Sequence, residues 1–331
     1  GTTATKLQID YAVGVGNGLD ALHLSLRASG ISKGDEVITV AHTCIATVSA
    51  IVHAGAVPIL VDVGADCTLD PDACEAAITP RTKAILPVHL NGRSCRMDAV
   101  MEIASRHRLL VIEDAAQGLG ARYRGRAVGT FGKAAAFSFY PFKMMGAMGD
   151  GGMIVTDDPD VAYRARTLRD YGEDRETGEI HSFGFSSRLD NLQAALLSLK
   201  LPLLEGWIDR RRALAERYRA GLHSIPGLVL PHDAGSDHFD VFLNYTVHSP
   251  RRDPLVAFLR AQGVEVLTPI SFVKPLHRHP ALGFRPSGLP MTERLAAEFL
   301  YLPIWPDLSD AQVDYVIERV RDFCSNDAPA K

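Results

Sequence analysis

The chain has 331 residues, of which 47% are hydrophobic and 22% are charged, a composition typical of a soluble globular protein. This length exceeds the usual size of one hydrophobic core, so we expect one large and one smaller domain. The net charge of -4 offers no basic surface, so neither nucleic acid nor an anionic membrane is an expected partner. Five cysteines without C-x-x-C spacing argue against a disulfide framework and favour a reducing cytoplasm.

Strands and helices alternate over the first two-thirds of the chain. The predicted strands are residues 11–15, 36–40, 58–63, 83–89, 109–114, 134–139 and 152–156. The predicted helices between them are residues 20–29, 43–54, 97–107 and one that begins at Pro71 after the N-cap Asp70. Near-continuous apolar strands between amphipathic helices indicate a three-layer α/β/α fold with a mostly parallel sheet covered on both faces.

A long helical pattern from Arg188 to Leu222, which Pro202 is expected to interrupt, connects the two predicted domains. The large domain is predicted to span residues 1–205 and the small C-terminal α/β domain residues 206–331. In the small domain we predict strands 242–248 and 264–267 and helices 253–262, 293–300 and 309–323. Ser309 is the expected N-cap of the last helix.

Lys143 lies in a Gly- and Met-rich loop directly after the strand 134–139. A lone lysine is usually a solvated surface cation, and a strand-end carboxylate such as Asp114 is often a helix cap or an ion-pair partner. Both residues, however, follow strands of one sheet, and ligands bind at the carboxyl ends of such strands. In a water-poor pocket Lys143 would form a Schiff base with an aldehyde, while Asp114 would keep a ring nitrogen protonated. Glu113 points to the opposite face and is expected to be structural.

A glycine-rich turn, residues 14–20, joins the first strand to the first helix. Free N–H groups at a helix N-terminus can hold a phosphate, and Ser138 could add a hydroxyl unless it serves only as a turn residue. A dinucleotide fingerprint would need a third glycine where Leu19 stands and an acid after the second strand, so a dehydrogenase is disfavoured. The turn, Lys143 and Asp114 together predict a site for a phosphorylated, protonatable aldehyde cofactor.

Three histidines invite a metal or general-base interpretation, but His42, His89 and His181 lack the spacing of metal ligands. We therefore predict no metal site and expect these side chains to shape a substrate pocket. Gln117, one turn after Asp114, could donate a hydrogen bond to a ring phenolate oxygen.

Four motifs together resemble the DegT/DnrJ/EryC1/StrS sugar aminotransferases: residues 11–22, 113–117, 138–152 and 188–195. Their order and spacing hold from about residue 11 to residue 323. The resemblance implies the fold of aspartate aminotransferase, fold type I, and a homodimer with its active sites at the interface. It also implies pyridoxal 5'-phosphate (PLP) as cofactor, nucleotide-linked keto-hexoses as substrates and glutamate as the usual amino donor.

The same resemblance assigns roles to individual residues. Lys143 would carry PLP as a Schiff base, Asp114 would contact the pyridinium nitrogen and Gln117 the phenolate oxygen. Family members with histidine in place of this lysine act as dehydratases, so Lys143 favours transamination. The segment before Arg188 would reach in from the partner subunit. An N-terminal helix present in relatives is expected to be missing, because the first predicted strand begins so close to Gly1.

The phosphate would be bound by Ser138 and by the backbone amides of Gly18 and Leu19. Leu19 stands where the family usually has threonine, which removes one hydroxyl contact to the phosphate. Three further departures surround the site: Cys44 replaces an aromatic residue that stacks on the ring, Asn91 a tyrosine, and Ser186 an asparagine that reaches the partner's phosphate. These changes suggest an unusual substrate or a divergent branch.

The predicted protein is a cytoplasmic PLP-dependent aminotransferase acting on a nucleotide-linked deoxysugar, in amino-sugar or natural-product biosynthesis. One alternative is a PLP enzyme that acts on a non-sugar ketone such as a cyclitol. Another is a PLP-binding regulator with weak catalysis, for which Cys44 and Ser186 are the hints.

Overall fold

The computed structural model describes residues 7–284 and 288–325. The strands, in chain order, are β1 (Tyr11–Val15), β2 (Glu36–Val40), β3 (Val57–Val61), β4 (Thr82–Ile85), β5 (Leu110–Asp114), β6 (Arg122–Tyr123), β7 (Arg126–Ala127), β8 (Ala134–Ser138), β9 (Gly152–Thr156), β10 (His238–Phe239), β11 (Tyr245–His248) and β12 (Phe299–Leu302). The helices are α1 (Gly18–Ala28), α2 (Ile45–His53), α3 (Pro71–Ala76), α4 (Met97–His107), α5 (Pro159–Leu168), α6 (Asn191–Lys200), α7 (Leu204–Leu222), α8 (Arg252–Ala261), α9 (Ile270–Val273), α10 (Pro290–Glu298) and α11 (Asp310–Ser325). Within these ranges no helix is long and apolar enough to cross a membrane.

The central sheet has seven strands in the order β1-β9-β8-β5-β4-β2-β3. Strands β2, β3, β4, β5 and β8 pair in parallel, whereas β9 is antiparallel to both of its neighbours, β1 and β8. The predicted mostly parallel sheet of an α/β fold is confirmed. Because parallel strands end at the same edge, the loops after β2, β4, β5 and β8 meet there.

Most of the predicted elements are confirmed, among them the strands 36–40 and 152–156 and the helix 97–107 with their predicted bounds. Pro202 interrupts the long helical pattern as expected, with a 3₁₀ turn, Leu201–Leu203, between α6 and α7. The sequence interpretation missed α5, although Asp158 caps it and Pro159 begins it.

Two predictions in the C-terminal part are wrong. Residues 264–267 form no strand, and only Leu267 pairs there, in an isolated bridge to Tyr301. The helix predicted to extend to residue 300 ends at Glu298, and the following residues form β12, which pairs with β11. The apolar run after Glu298 is compatible with either state, and the free edge of β11 decides for a strand.

Helix α7 contributes to two separate hydrophobic clusters. Near its start, Leu204 and Ile208 pack beside the central sheet with residues of α6 and β8. Further along, Leu214 and Tyr218 pack with residues of β11, β12 and α11. The helix therefore ties the C-terminal unit to the sheet, while the domain boundary at residue 205 stays a prediction.

The buried carboxylate of Glu113 holds the end of β5 in place. It accepts hydrogen bonds from three backbone N–H groups of the loop 129–132, at 2.7 to 2.8 Å, and contacts Nε2 of His89 at 2.9 Å. The backbone N–H of Cys95 points at Nδ1 of His89, 3.1 Å away, which assigns the imidazole proton to Nε2. Glu113 is thus fully satisfied, in the structural role expected of it.

We expect Glu113→Gln to lower the free energy of unfolding by about 3 kcal/mol, because the amide replaces one acceptor by a donor among buried donors. The matched control is Glu102→Gln, an exposed acid of α4, which should change stability by less than about 0.5 kcal/mol. Guanidinium denaturation followed by circular dichroism measures both changes. Equal stability of the two variants would contradict the structural role of Glu113.

Candidate active site

Asp114, the last residue of β5, faces the opposite side of the sheet from Glu113 because successive side chains alternate. Only 5% of it is exposed. Its Oδ2 accepts from the hydroxyl of Thr47 at 2.8 Å and its Oδ1 from the N–H of Ala116 at 3.1 Å. Burial raises the pKa of Asp114, while these two hydrogen bonds and the charge of Lys143 oppose the rise. The result is a buried carboxylate held in one orientation beside a lysine.

Lys143 follows β8 in a loop whose backbone is fixed by a 2.8 Å hydrogen bond from its N–H to the carbonyl of Tyr140. Burial lowers the pKa of the ammonium, and the charges of Asp114 and of the Cys44 thiolate form partly counter that effect. Among the residues that the structure describes, Nζ meets no hydrogen-bond or ion-pair partner. A partly desolvated amine without a partner suits covalent chemistry with a carbonyl.

The glycine turn brings the N-terminus of α1 against β8. Asn17 caps the helix, its side chain accepting from the N–H of Asp20 at 2.8 Å. The N–H groups of Gly18 and Leu19 meet no acceptor in the described part of the chain, as expected for the first turn of a helix. The side chain of Leu19 packs into the core beside the sheet, so this residue presents only its backbone to the turn.

Ser138 lies directly against this turn. A Cβ added at Gly18 would lie 2.7 Å from the Cβ and 3.0 Å from the Oγ of Ser138, so only glycine allows this approach. The Ser138 hydroxyl accepts from the N–H of Tyr140 at 3.3 Å and keeps its own proton to donate. Two free amides, one hydroxyl and a helix N-terminus together form a site suited to an anion such as a phosphate.

Two contributors to this geometry were missed by the sequence interpretation. Ser187 is buried, accepts from the N–H of Gly16 at 3.0 Å and donates to Asp20 at 2.6 Å, which fixes the glycine turn from behind. No local pattern indicates this contact, because 171 residues separate Ser187 from Gly16. Thr47, in the first turn of α2, was also missed; its hydroxyl contacts that of Thr43, which precedes the N-cap Cys44.

Gln117 lies next to Asn91, whose N–H donates to the Gln117 Oε1 at 2.8 Å and leaves the side-chain amide N–H₂ available. The side chain of Asn91 accepts from the amide of Asn244 at 3.0 Å. Beyond Asn91 lies a cleft of about 460 Å³, open to solvent and lined by polar residues that include Arg93 and Asp240. Asn91 therefore separates this cleft from Gln117.

Ser186 and Arg188 are neighbours at the end of an exposed segment. The guanidinium of Arg188 pairs with Asp170 at 2.7 Å and donates to the Ser186 hydroxyl at 3.1 Å. His181, in the same segment, is exposed and contacts the hydroxyl of Tyr163 at 3.0 Å. In the described residues no hydrogen bond or ion pair joins this group to Lys143 or Asp114.

The other two histidines are buried. The ring of His42 packs edge-on against Phe272 and Phe299, at centroid distances of 5.4 and 6.1 Å, and burial lowers its pKa to about 4. His89 is paired with Glu113, behind the sheet edge that carries Asp114. Within residues 7–284 and 288–325, no cluster of three or more histidine, cysteine or acidic residues has a geometry suited to a metal ion.

The residues present fit a phosphorylated aldehyde cofactor with a ring nitrogen. Lys143 offers an amine without a partner, Asp114 a buried carboxylate with free lone pairs, and the Gly18 turn an anion site against Ser138. The three-layer fold, with one reversed strand in a parallel sheet, is that of fold type I PLP enzymes.

Comparison with known proteins gives a consistent result. A model of the DegT/DnrJ/EryC1/StrS aminotransferase family matches residues 2–321. The chain is 47% identical to the dTDP-3-amino-3,4,6-trideoxy-alpha-D-glucose transaminase of Streptomyces venezuelae, over 97% of the chain and 84% of that protein. It is 44% identical to a pleiotropic regulatory protein of Geobacillus stearothermophilus, over 98% of the chain and 90% of that protein.

Among solved structures, S. venezuelae DesV in complex with a ketimine intermediate superposes with a TM-score of 0.94 at 47% identity, covering 98% of this chain and 87% of that one. The chain belongs to the DegT/DnrJ/EryC1/StrS aminotransferase family. It is an aminotransferase, and PLP is its cofactor. The family resemblance seen in the sequence motifs is thereby confirmed.

We expect Gly18→Ala to weaken PLP binding about tenfold or more, because the added methyl group would push the helix N-terminus away from Ser138 and weaken hydrogen bonds to a charged phosphate. The matched control is Gly206→Ala in α7, where an added Cβ meets nothing within 4 Å and alanine favours the helix. Absorbance titration of the apoprotein with PLP measures both affinities. Equal affinities of the two variants would show that the close approach at Gly18 does not matter.

Proposed function

We propose that this protein transfers the amino group of glutamate to the keto group of a nucleotide-linked deoxysugar, in amino-sugar or natural-product biosynthesis. The observation that carries the proposal is a half-buried Lys143, whose amine has no hydrogen-bond partner among the described residues, within electrostatic reach of the buried, hydrogen-bonded carboxylate of Asp114. The chain's 47% identity to a dTDP-sugar transaminase supports a substrate of the same class.

When bound, PLP supplies an aldehyde that takes up an amino group and a protonated ring that accepts electrons. Lys143 would hold the cofactor covalently through Nζ and, once displaced by the amino donor, move a proton between the substrate carbon and the cofactor as general base and acid. Its lowered pKa leaves more of the amine unprotonated at neutral pH, as this role needs.

The other proposed site residues bind and orient the cofactor. The Asp114 carboxylate would hold the proton on the ring nitrogen, and the free amide of Gln117 would donate to the ring phenolate oxygen. Ser138 and the amides of Gly18 and Leu19 would bind the phosphate through neutral donors and the positive end of the α1 dipole. Cys44 is exposed at the start of α2 and interacts electrostatically with Lys143. It would lie beside the ring of the cofactor.

Four residues remain as candidates for the substrate side: His42, His89, His181 and Arg188. Arg188 and His181 are exposed, so a ligand or a partner subunit could reach them. Arg188 could bind a carboxylate or phosphate through its planar guanidinium in exchange for its present pair with Asp170. His42 and His89 are buried, so their proposed contribution is to the shape of the pocket rather than direct contact.

We expect Lys143→Ala to abolish amino transfer from glutamate to a panel of nucleotide-linked keto-sugars, since no other group replaces the amine. Lys33→Ala, at an exposed lysine, should behave as the unaltered protein. Borohydride reduction of the PLP-bound protein should attach the cofactor to Lys143, as located by peptide mass spectrometry. A label on another residue would refute the site assignment.

Two other functions give different results in the same assay. Transfer to a cyclitol ketone but to no keto-sugar would identify a non-sugar enzyme. Labelling of Lys143 without transfer to any ketone would favour a PLP-binding regulator, which the 44% identity to a pleiotropic regulatory protein makes a specific second candidate.

We also propose that the protein is a homodimer with the active site at the interface. Exposed apolar side chains flank Lys143 in its loop, among them Phe142, 82% exposed, and Met148, 73% exposed. Gln193 exchanges two hydrogen bonds with Met148, at 2.8 and 2.9 Å, which joins this loop to α6 with its exposed Leu192 and Leu199. Exposed apolar side chains on this loop and on α6, next to a polar site, fit contact with a second copy of the chain, as the family resemblance implies.

We expect Leu199→Asp to produce monomers and to weaken PLP binding, because a charge would be buried in the interface and the site would lose its partner residues. Val229→Asp, at a similarly exposed residue near the C-terminal unit, should leave the dimer intact. Sedimentation velocity determines the oligomeric state of each. A monomeric unaltered protein, or two equally dimeric variants, would contradict the proposal.

A further inference from the structure

A chain of three buried side chains runs from the start of α2 to the end of β5. The hydroxyls of Thr43 and Thr47 are 2.7 Å apart, and the Thr47 hydroxyl donates to the Asp114 carboxylate at 2.8 Å. Thr43 and Thr47 are 1% and 0% exposed, so water does not compete for these hydrogen bonds. The contact joins two elements that are 67 residues apart in the sequence.

The direction of this chain follows from the charge of its last member. An ionised carboxylate can only accept, so the single Thr47 proton is committed to Asp114. The Thr47 oxygen must then accept, and Thr43 must donate to it. With Asp114 ionised, the Thr47 proton has the carboxylate as its acceptor and the Thr43 proton has the Thr47 oxygen.

An ionised carboxylate at this place is costly without donors. Burial disfavours the charge of Asp114 and raises its pKa, and the Thr47 hydrogen bond is the largest of the effects that oppose the rise. A neutral acid would not hold the proton of a pyridinium nitrogen. Thr47 on one carboxylate oxygen and the Ala116 N–H on the other also restrict rotation of the carboxylate.

We propose that Thr47 is a positioning residue of this aminotransferase, which keeps Asp114 ionised and oriented toward the ring nitrogen of PLP, with Thr43 fixing the Thr47 hydroxyl. The inference rests on the proposed role of Asp114. Thr47 is proposed as a positioning residue and not as a catalytic one, because its hydroxyl acts through Asp114.

Two substitutions separate the effect of the Thr47 hydroxyl from that of the rest of its side chain, and a third tests Thr43. Thr47→Val keeps the shape and removes the donor, whereas Thr47→Ser keeps the donor and removes a methyl group. Thr43→Val leaves Thr47 able to donate and should have the smaller effect. Thermal unfolding of each apoprotein verifies that it is folded.

We expect Thr47→Val to raise the dissociation constant of PLP about tenfold, since a hydrogen bond to a buried charge is lost. It should also lower kcat without changing KM for the sugar, and shift the visible absorbance of the bound cofactor toward that of the unprotonated ring. Thr47→Ser should match the unaltered protein in affinity and absorbance. Equal affinity and absorbance of the two variants would overturn the inference.

If Thr47→Val does not fold, Thr47→Cys provides the test, because sulfur keeps the volume but donates weakly. Its affinity for PLP should lie below that of Thr47→Ser, and equality would again overturn the inference. Asp114→Asn separates a failure of the proposed role of Asp114 from a failure of the proposed role of Thr47. If it binds PLP normally, the proposed role of Asp114 fails; if only Asp114→Asn loses affinity, the role of Thr47 alone fails.

Discussion

The structure depends on two adjacent carboxylates at the end of β5, Glu113 and Asp114, which point to opposite faces of the sheet. Glu113 is satisfied by three backbone N–H groups and His89, so the strand end and the loop 129–132 form one rigid unit. A buried carboxylate is stable only when its acceptors are filled, which explains why so many donors converge there. The same rigidity fixes the direction of Asp114 on the other face.

On the face of the sheet that carries Asp114, opposing electrostatic effects determine the protonation states of Asp114 and Lys143. Burial disfavours the charge of Asp114 and of Lys143 alike, whereas their mutual attraction favours both charges. Desolvation is the larger effect at each residue, so the lysine is held closer to its neutral, nucleophilic form. Thr47 and Ala116 then favour the ionised form of the carboxylate. One short region of the sheet edge thus holds a reactive amine beside an anchored acid.

The proposed cofactor-binding residues lie on packed elements of this chain, whereas the proposed substrate-binding residues include exposed ones. The residues proposed to bind PLP lie on or directly after β5 and β8 and at the start of α1, elements that pack together within this chain. The proposed substrate residues Arg188 and His181 lie instead on an exposed segment that also carries the exposed side chains of Ile180 and Phe183. The proposed second subunit is therefore expected to contribute more to the substrate side of the site than to the fold of this chain.

The sequence by itself determined most of the element types, the order of the motifs and the cofactor class, because hydrophobic periodicity, helix caps and strand-end residues are local signals. It also indicated Lys143 and Asp114, each next to a strand end. Only the tertiary structure decided that residues 299–302 form a strand, since that choice depended on pairing with β11. It alone revealed Thr47 and Ser187, which act on residues 67 and 171 positions away. Such contacts arise when elements that are distant in the sequence pack together, so a local sequence pattern does not predict them.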